Sequence, residues 1–452
     1  MKTYMLILAV LGLSAMIACS SSWLNIKPDQ SLVVPKSVVD YQAWLDNTAK
    51  FNNSNSFGNM EVSADNLYVP DATFNGLSSA AARNMYTWAK GGDDFYQGEG
   101  SASWGDAYDK LLQVNAIIEG IDKVQRDSDP AGWDNVKGSA LFFRAFYHYA
   151  LLAEFCGAYD ESDPLGIPIK NTANVNDKML RSSLKQSYEY VLSDLDAATK
   201  LLPLAPANKL RPSRMAAWAL LSRINLAMSN YATALRYAQL CLTSNDQLLD
   251  YNSLNTTANF PFDRLNKEVI FSAYIANPAI LSQNNHVIDS TLYGSYRPDD
   301  LRKQLFFRIN AGLPRFKGGY FGVANCFVGL AIDEVYLNAA ECLLRRGQLA
   351  EAENLFNKLM ATRWKTGKYI PVSFGDQTAA LGNVLEERRK SLLFRCLRLS
   401  DIKRLNKSTD QKVTMRRKIN GNEIVLSPND PKYVLPIPQK ELLLNPMPQN
   451  PR

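Results

Sequence analysis

The chain has 452 residues, of which 46% are apolar, with 50 Lys and Arg against 44 Asp and Glu and only two histidines. At roughly 150 residues per domain this allows one large domain or up to about three, and the composition excludes a disordered or collagen-like chain. His148 and His286 are too few for a histidine-rich zinc site, so no metal is predicted, and the weak positive charge gives no argument for nucleic acid.

The N-terminal segment predicts export and a lipid anchor. Residues 1–18 combine one lysine with a short apolar run, which is typical of a secretory signal peptide and too short for a permanent membrane span. The sequence MIAC, ending at Cys19, resembles a bacterial lipobox, although Met stands where Leu is usual. This implies that Cys19 is lipidated and that residues 19–38 form the anchor and tether. An ordinary signal peptide is the alternative.

Residues 39–452 are predicted to form a single domain that opens with a helix from Val39. Between about 52 and 103, Gly, Asn, Ser and Asp alternate with aromatic residues, which predicts long loops carrying exposed aromatic side chains. Apolar residues then recur at three- and four-residue steps. This spacing predicts helical hairpins over about 104–244 and about 331–404.

Two of these hairpins have the spacing of tetratricopeptide repeats. Small residues stand where two helices must approach closely, and turns are predicted at Ser229-Asn230 and Gly347-Gln348. The two copies lie 118 positions apart, so an uninterrupted solenoid is not predicted. The predicted fold class is all-α, a tetratricopeptide-like hairpin scaffold with a loop-rich, mixed insertion.

The insertion, at about 245–330, and the C-terminal region complete the pattern. A short strand is predicted within Asn266–Ile275, between loops rich in Asn, Gly and Pro. A single basic helix is predicted from Leu385 to Leu405. The tail from Pro431 has too many prolines for a regular helix.

Some polar residues lie within apolar helical stretches. Arg144, Arg223 and Glu341 must be paired there or they cost several kcal/mol, about the penalty for a buried unpaired charge. We therefore predict structural ion pairs for these three and a hydrogen-bonded structural role for His148. The five cysteines after Cys19 have no paired spacing, which favours buried free thiols.

The order of several segments resembles the SusD/RagB family of outer-membrane nutrient-binding lipoproteins. The strongest are KGSALFFRAFYHYALLAEFCG at 137–157, RPSRMAAWALLSRINLAM at 211–228 and YVLPIPQKELLLNP at 433–446. The resemblance implies a lipid-anchored, cell-surface protein of the outer membrane with no enzymatic activity and no cofactor. It would capture an oligosaccharide and deliver it to a SusC-like TonB-dependent transporter.

Such binding needs aromatic faces for sugar C–H groups and polar groups for hydroxyls. The first candidate set lies between Glu61 and Trp104 and includes Asp65, Asn66, Tyr68, Tyr86, Trp88, Asp93, Asp94 and Tyr96. The second lies in the insertion and comprises Asn284, Asn285, Tyr293, Tyr296 and Arg297. The alternatives are that Tyr86 and Trp88 pack the loops onto the helices, and that the second set is a solvated loop covering the scaffold edge.

Two rival functions stay open. A RagB-like protein of the same fold would bind peptides or protein fragments. A tetratricopeptide adaptor would hold a protein partner and no nutrient. Catalysis is not predicted, because the chain has no G-x-S-x-G, H-E-x-x-H or phosphate-loop motif.

Overall fold

The computed structural model describes residues 35–54, 57–90, 95–408 and 411–452. The predicted lipidation site Cys19, the signal peptide and most of the tether lie outside these ranges, and so do Asp93 and Asp94. Within them, no helix combines the length and apolar character needed to cross a bilayer.

The described residues are mainly helical, in agreement with the predicted all-α class. The helices are α1 Val38–Leu45, α2 Thr48–Phe51, α3 Gly58–Ser63, α4 Asp71–Asn75, α5 Ala80–Tyr86, α6 Ala102–Ile121, α7 Pro130–Phe155, α8 Leu184–Leu201, α9 Arg214–Ala227, α10 Tyr231–Ser244, α11 Ser290–Ser295, α12 Arg302–Phe306, α13 Ile332–Arg345, α14 Leu349–Ala361, α15 Gln377–Ser391, α16 Arg398–Asn406 and α17 Gln439–Leu444.

The strands are short and pair only two at a time within the described ranges. They are β1 Asn53–Ser54, β2 Leu67–Tyr68, β3 Val269–Phe271, β4 Tyr274–Ile275, β5 Val287–Ile288, β6 Phe307–Asn310, β7 Leu313–Phe316, β8 Leu330–Ala331, β9 Met415–Ile419 and β10 Asn422–Leu426. β1 pairs with β4 in parallel, and the pairs β2–β5, β3–β8, β6–β7 and β9–β10 are antiparallel.

The long helices pack in chain order, each against its neighbour. α6 packs on α7, α7 on α8, α8 on α9 and α9 on α10, and α10 then packs on α13, which contacts α14 and α15. Fully buried Ala217, Ala234, Ala339 and Ala352 lie on the two predicted repeat hairpins. The hairpins are therefore adjacent in space, and the insertion leaves the helical stack and returns to it.

The two predicted hairpin turns are confirmed. Ser229 lies between α9 and α10 with φ 61°, and Gly347 lies between α13 and α14 with φ 77°. Both are in the left-handed region that ends many helices and that glycine adopts at the lowest cost.

The single helix predicted from Leu385 to Leu405 is wrong, because the structure has α15 and α16 with a break between them. Phe394 and Cys396 in the break have φ values of 57° and 59°. The Phe394 ring stacks on Phe316 with centroids 4.5 Å apart, and the Cys396 N–H donates to the buried Glu61 carboxylate at 3.1 Å. Tertiary contacts here outweigh the local helical propensity.

The tail also departs from the prediction, since it contains the short helix α17. Pro438 occupies the N-cap position and Pro446 follows the helix, so the prolines bound it without interrupting it. The β9–β10 hairpin was not predicted. Its turn is Asn420-Gly421, with φ 48° and 82°, which is the residue pair that favours a two-residue hairpin turn.

The predicted structural ion pairs are confirmed. Arg144 donates to both carboxylate oxygens of Asp194 at 2.7 Å. Arg223 reaches Glu334 at 2.6 Å. Glu341 accepts from Arg404 at 2.5 Å. Each of the three charges is therefore buried next to a residue of opposite charge, which offsets the cost of removing it from water.

His148 is a core residue, as predicted. Its Nδ1 lies 3.0 Å from the Arg144 carbonyl, and its Nε2 accepts the Lys170 N–H at 3.1 Å. Burial, reinforced by the Arg144 charge, lowers the pKa of His148 to about 3, so the ring is neutral. The five described cysteines are buried and free, which confirms the prediction of buried free thiols.

Candidate ligand-binding face

The structure brings the two predicted binding segments together. β2 pairs with β5, so that Leu67 lies opposite Ile288 and Tyr68 opposite Val287. The Asp289 N–H then donates to the Asn66 carbonyl at 3.0 Å. Segments more than 200 positions apart therefore form one surface, which we call the loop face and which comprises β2, residues 245–330 and their side chains.

Tyr86 and Trp88 are buried, and their polar atoms are used within the protein. The Tyr86 hydroxyl accepts the Val69 N–H at 2.8 Å, and the Trp88 Nε1–H donates to the Ser63 carbonyl at 2.9 Å. The Arg417 guanidinium lies 3.9 Å from the Tyr86 ring centroid and 4.3 Å from that of Trp88. This geometry favours the packing alternative for both residues, and the exposed aromatics expected between 52 and 103 are mostly inside.

Tyr96 and Tyr296 are also buried and hydrogen-bonded. The Tyr96 hydroxyl donates to the Pro436 carbonyl at 2.8 Å, and the Tyr296 hydroxyl donates to the Lys390 carbonyl at 3.0 Å. Burial raises the pKa of the Tyr296 hydroxyl well above its usual value. Neither ring offers a free face to a ligand in this structure.

Asp65 and Asn66 belong to a charged network beneath the loop face. Arg398 donates to both Asp65 oxygens at 2.8 and 2.9 Å. Burial alone would raise the pKa of Asp65, but the charges of Arg398 and Arg389 outweigh it and hold that pKa well below its usual range. Asn66 donates to Glu61 at 2.8 Å and accepts from Arg389 at 3.0 Å.

The remaining predicted residues are accessible. Tyr68 is 37% exposed, Tyr293 is half-buried, and Asn284 and Arg297 are exposed. The Tyr68 hydroxyl and the Arg297 guanidinium have no hydrogen-bond partner in the part of the chain that the structure describes. A ligand can reach these four side chains and also Asn285, which is half-buried and donates to the Ala279 carbonyl at 2.8 Å.

Tyr293 lines an open groove of about 630 Å³ on the loop face. We call this the Tyr293 groove. Its lining includes Thr256, Thr257, Tyr293, Lys303, Gln304, Phe307, Arg308 and Lys317. The side chains supply two aromatic rings, hydroxyl and amide groups, and three cations.

Local packing holds the Tyr293 ring in place. Phe307, which is buried, meets Tyr293 edge-to-face with centroids 5.3 Å apart and meets Tyr296 in the same way at 5.0 Å. The Lys303 ammonium lies 4.8 Å from the Tyr293 centroid. The ring is therefore fixed from below by an aromatic cluster, which is the preorganisation that a stacking platform needs.

A second aromatic surface lies further along the insertion. Tyr274 and Phe321 stack with centroids 4.0 Å apart and an interplanar angle of 15°. The Arg264 guanidinium lies 4.4 Å from the Phe321 centroid, and its Nε has no partner among the described residues. Phe260 is exposed, and its ring lies where a Cβ at Gly318 would contact it at 3.3 Å.

Sequence reasoning missed most of the Tyr293 groove. Phe307, Arg308 and Lys317 lie on or beside the β6–β7 hairpin, whose turn at Ala311-Gly312 has φ values of 49° and 76°. Two features of the sequence could have indicated it. Gly312 lies between two apolar stretches, which favours a hairpin turn, and residues 301–332 contain no Asp or Glu, which favours a basic surface.

The described chain combines a helical-repeat scaffold with an open groove on its insertion. The chain belongs to the SusD/RagB family. A SusD-like family model described as starch-binding associating with outer membrane matches residues 22–226, and the SusD family model matches residues 332–452. No functionally curated protein matches the sequence.

Solved structures share the fold. A SusD superfamily protein from Bacteroides thetaiotaomicron is 24% identical with a TM-score of 0.75, covering 92% of this chain and 100% of its own. A putative sugar binding protein from Bacteroides vulgatus is also 24% identical with a TM-score of 0.75, covering 93% and 99%. A laminarin binding SusD-like protein is 18% identical with a TM-score of 0.67, covering 91% and 97%.

The family matches and the Tyr293 groove occupy different parts of the chain. Neither matched range includes residues 227–331, and all of the groove residues lie between 256 and 317. The matched ranges cover the helical scaffold except for α10, while the groove is formed by the insertion.

Proposed function

We propose that this protein captures an oligosaccharide on the loop face and delivers it to a SusC-like TonB-dependent transporter, held at the outer membrane by a lipid on Cys19. The observation that carries the proposal is the half-exposed Tyr293 ring, fixed over Phe307 in an open groove of a SusD/RagB protein. The laminarin-binding relative supports a glycan ligand over a peptide.

The groove offers the two kinds of contact that a sugar needs. The C–H face of a pyranose ring can stack on Tyr293, whose other surroundings are already packed. Thr257 and Gln304 line the groove and supply hydroxyl and amide groups for the sugar hydroxyls. Tyr68 and Asn284 extend the same surface toward the β2–β5 pair.

Titration calorimetry of residues 20–452 against glycans and peptides tests this function. Tyr293→Ala is expected to lower oligosaccharide affinity about tenfold, since an aromatic contact contributes about 1.5 kcal/mol. Tyr231→Ala is the matched control, because Tyr231 is half-buried with the Arg345 guanidinium 5.0 Å from its ring but lies on α10. Equal losses in both variants, or binding of peptides only, would contradict the proposal. The oligosaccharide should be recovered intact, as expected of a protein without enzymatic activity.

The delivery step needs a protein contact, and a separate apolar surface supports one. Val175 and Leu180 are 72% and 64% exposed, and Leu443 and Leu444 of α17 are 73% and 77% exposed. The two segments meet, since the Met179 N–H donates to Asn445 at 3.4 Å. Exposed large apolar side chains that cluster in this way mark protein interaction sites.

Co-purification with the transporter tests this contact. Replacing both Leu443 and Leu444 with Asp is expected to abolish co-purification and leave glycan affinity unchanged. Leu204→Asp is the control, since Leu204 is 47% exposed in the loop between α8 and α9. Retained co-purification in the double variant would place the transporter contact elsewhere. A protein partner without any glycan binding would favour the adaptor function.

A further inference from the structure

The loop face contains a run of chain with basic residues and no acidic ones. Between Asp300 and Asp333 the sequence has no Asp or Glu, but it has Arg302, Lys303, Arg308, Arg315 and Lys317. Arg302 is buried in an ion pair with Asp300 at 2.7 Å. The other four cations lie in or next to the Tyr293 groove.

Two of these cations are placed directly opposite each other. Arg308 on β6 is the cross-strand partner of Arg315 on β7, so both side chains lie on the same face of the hairpin. Both reach Asn284, since Arg308 Nη2 donates to its side-chain oxygen at 3.2 Å and Arg315 Nη1 to its carbonyl at 2.8 Å. Like charges in this arrangement repel, and an anion placed between them removes the repulsion.

None of the four cations has a carboxylate partner among the described residues. The Lys303 ammonium donates to the Tyr296 carbonyl at 2.9 Å, and that of Lys317 donates to two backbone carbonyls at 2.8 and 3.0 Å. Arg315 also bonds the His286 carbonyl at 2.6 Å, and the Nε atoms of Arg308 and Arg315 are buried without a partner. Backbone carbonyls satisfy hydrogen bonds but leave the positive charge uncompensated.

Two other carboxylates of the insertion are engaged elsewhere. Asp289 caps α11 by accepting the Leu292 N–H at 2.9 Å, and Asp299 pairs with Lys365 at 3.0 Å. The Tyr293 groove therefore has Lys303, Arg308 and Lys317 in its lining and no acidic residue.

We propose that the ligand of the Tyr293 groove is an anionic polysaccharide, whose uronate carboxylates or sulfate esters bind at Arg308 and Lys303 while a sugar ring stacks on Tyr293. This inference rests on the proposed function. A guanidinium presents parallel N–H donors that match a carboxylate or sulfate, and an ammonium adds a point charge. Asn284 holds Arg308 in place for this contact.

Calorimetry with four probes tests the inference: oligogalacturonate, a sulfated galactan oligosaccharide, neutral laminarin oligosaccharide and polyglutamate. Oligogalacturonate or the sulfated galactan is expected to bind at least about tenfold more tightly than laminarin, with affinity falling as salt rises to about 0.3 M. Arg308→Gln and, separately, Lys303→Gln are expected to lower that affinity about tenfold each, as loss of a charge-assisted hydrogen bond does. Arg126→Gln is the control, because Arg126 pairs with Asp134 at 2.6 Å on the scaffold.

The outcomes separate the two proposals. The uronate and sulfate arms identify which anion is recognised. Binding of laminarin that depends on Tyr293 but not on Arg308 or Lys303 overturns the anionic ligand and leaves glycan capture standing. Binding of polyglutamate without any glycan, or no binding to any probe, overturns both. If Arg308→Gln lowers the melting temperature, its loss of affinity could come from unfolding. The Lys303→Gln variant then tests the inference, since Lys303 lies on α12 and outside the β6–β7 hairpin.

Discussion

Five buried arginines and the cations around the Tyr293 groove have different partners. The five buried arginines each pair with a carboxylate at 2.5 to 2.9 Å: Arg223 with Glu334, Arg302 with Asp300, Arg363 with Glu268, Arg395 with Asp333 and Arg404 with Glu341. Around the Tyr293 groove, the cations bond amide or carbonyl oxygens only, within the described ranges. A cation whose counter-ion is part of the fold is already neutralised, whereas a groove cation that bonds only amide or carbonyl oxygens can leave that position to a ligand.

The largest expected effect comes from breaking a scaffold pair. Arg223→Ala leaves the Glu334 carboxylate buried without its counter-ion, and we expect a loss of about 3–5 kcal/mol in the free energy of unfolding. Urea denaturation followed by circular dichroism measures it. Arg308→Ala is the comparison on the loop face, where we expect less than about 1 kcal/mol. Similar losses in the two variants would contradict the distinction between the two groups of cations.

A buried carboxylate that has no ion-pair partner among the described residues provides a pH-dependent test of stability. Burial raises the pKa of Glu154 from 4.5 to about 7, and Asn59 donates to it at 3.3 Å. The pKa of Glu154 is higher in the folded than in the unfolded state. Its contribution to the free energy of unfolding is therefore complete below about pH 4.5, where the carboxyl is protonated in both states, and is lost as the pH rises through 7.

Glu154→Gln removes this titration. Relative to the unmodified protein, the variant is expected to gain on the order of 3 kcal/mol between pH 4.5 and 8, since one pKa unit corresponds to about 1.4 kcal/mol. Urea midpoints across this pH range measure the gain. The titrations of His148 and Glu61 occur in both proteins and cancel in the difference. A difference that does not change with pH would show that Glu154 is ionised in the fold.

The sequence predicted the scaffold better than the loop face. Repeat hairpins depend on local spacing, so the turns at Ser229 and Gly347 and the pairing of Arg144 could be read from the chain. The roles of Tyr86 and Trp88 depend on Arg417, more than 300 positions away, and spacing contains no information about that contact. The break between α15 and α16 depends on long-range contacts in the same way.

The predicted tyrosines allow a matched comparison with one substitution. Tyr86→Phe deletes the hydroxyl that accepts the Val69 N–H at 2.8 Å, and a buried unpaired N–H costs about 1–3 kcal/mol. Tyr68→Phe deletes a hydroxyl with no partner in the described chain, and stability should change by less than about 0.5 kcal/mol. Thermal melting measures both. Equal losses would mean that the Tyr68 hydroxyl has a structural role.

The smallest effect is expected for an exposed ion pair of the scaffold. Lys358 and Asp246 lie 2.6 Å apart, with side chains 51% and 56% exposed. A double-mutant cycle with alanine at both positions should give a coupling energy below about 1 kcal/mol that decreases with added salt. A coupling above about 2 kcal/mol would show that pairing stabilises this protein even at the surface. If the coupling is small, a cation in contact with solvent loses little stability when it has no carboxylate partner, and this explains how the half-buried Lys303 and Arg308 of the Tyr293 groove can remain without one in the folded protein.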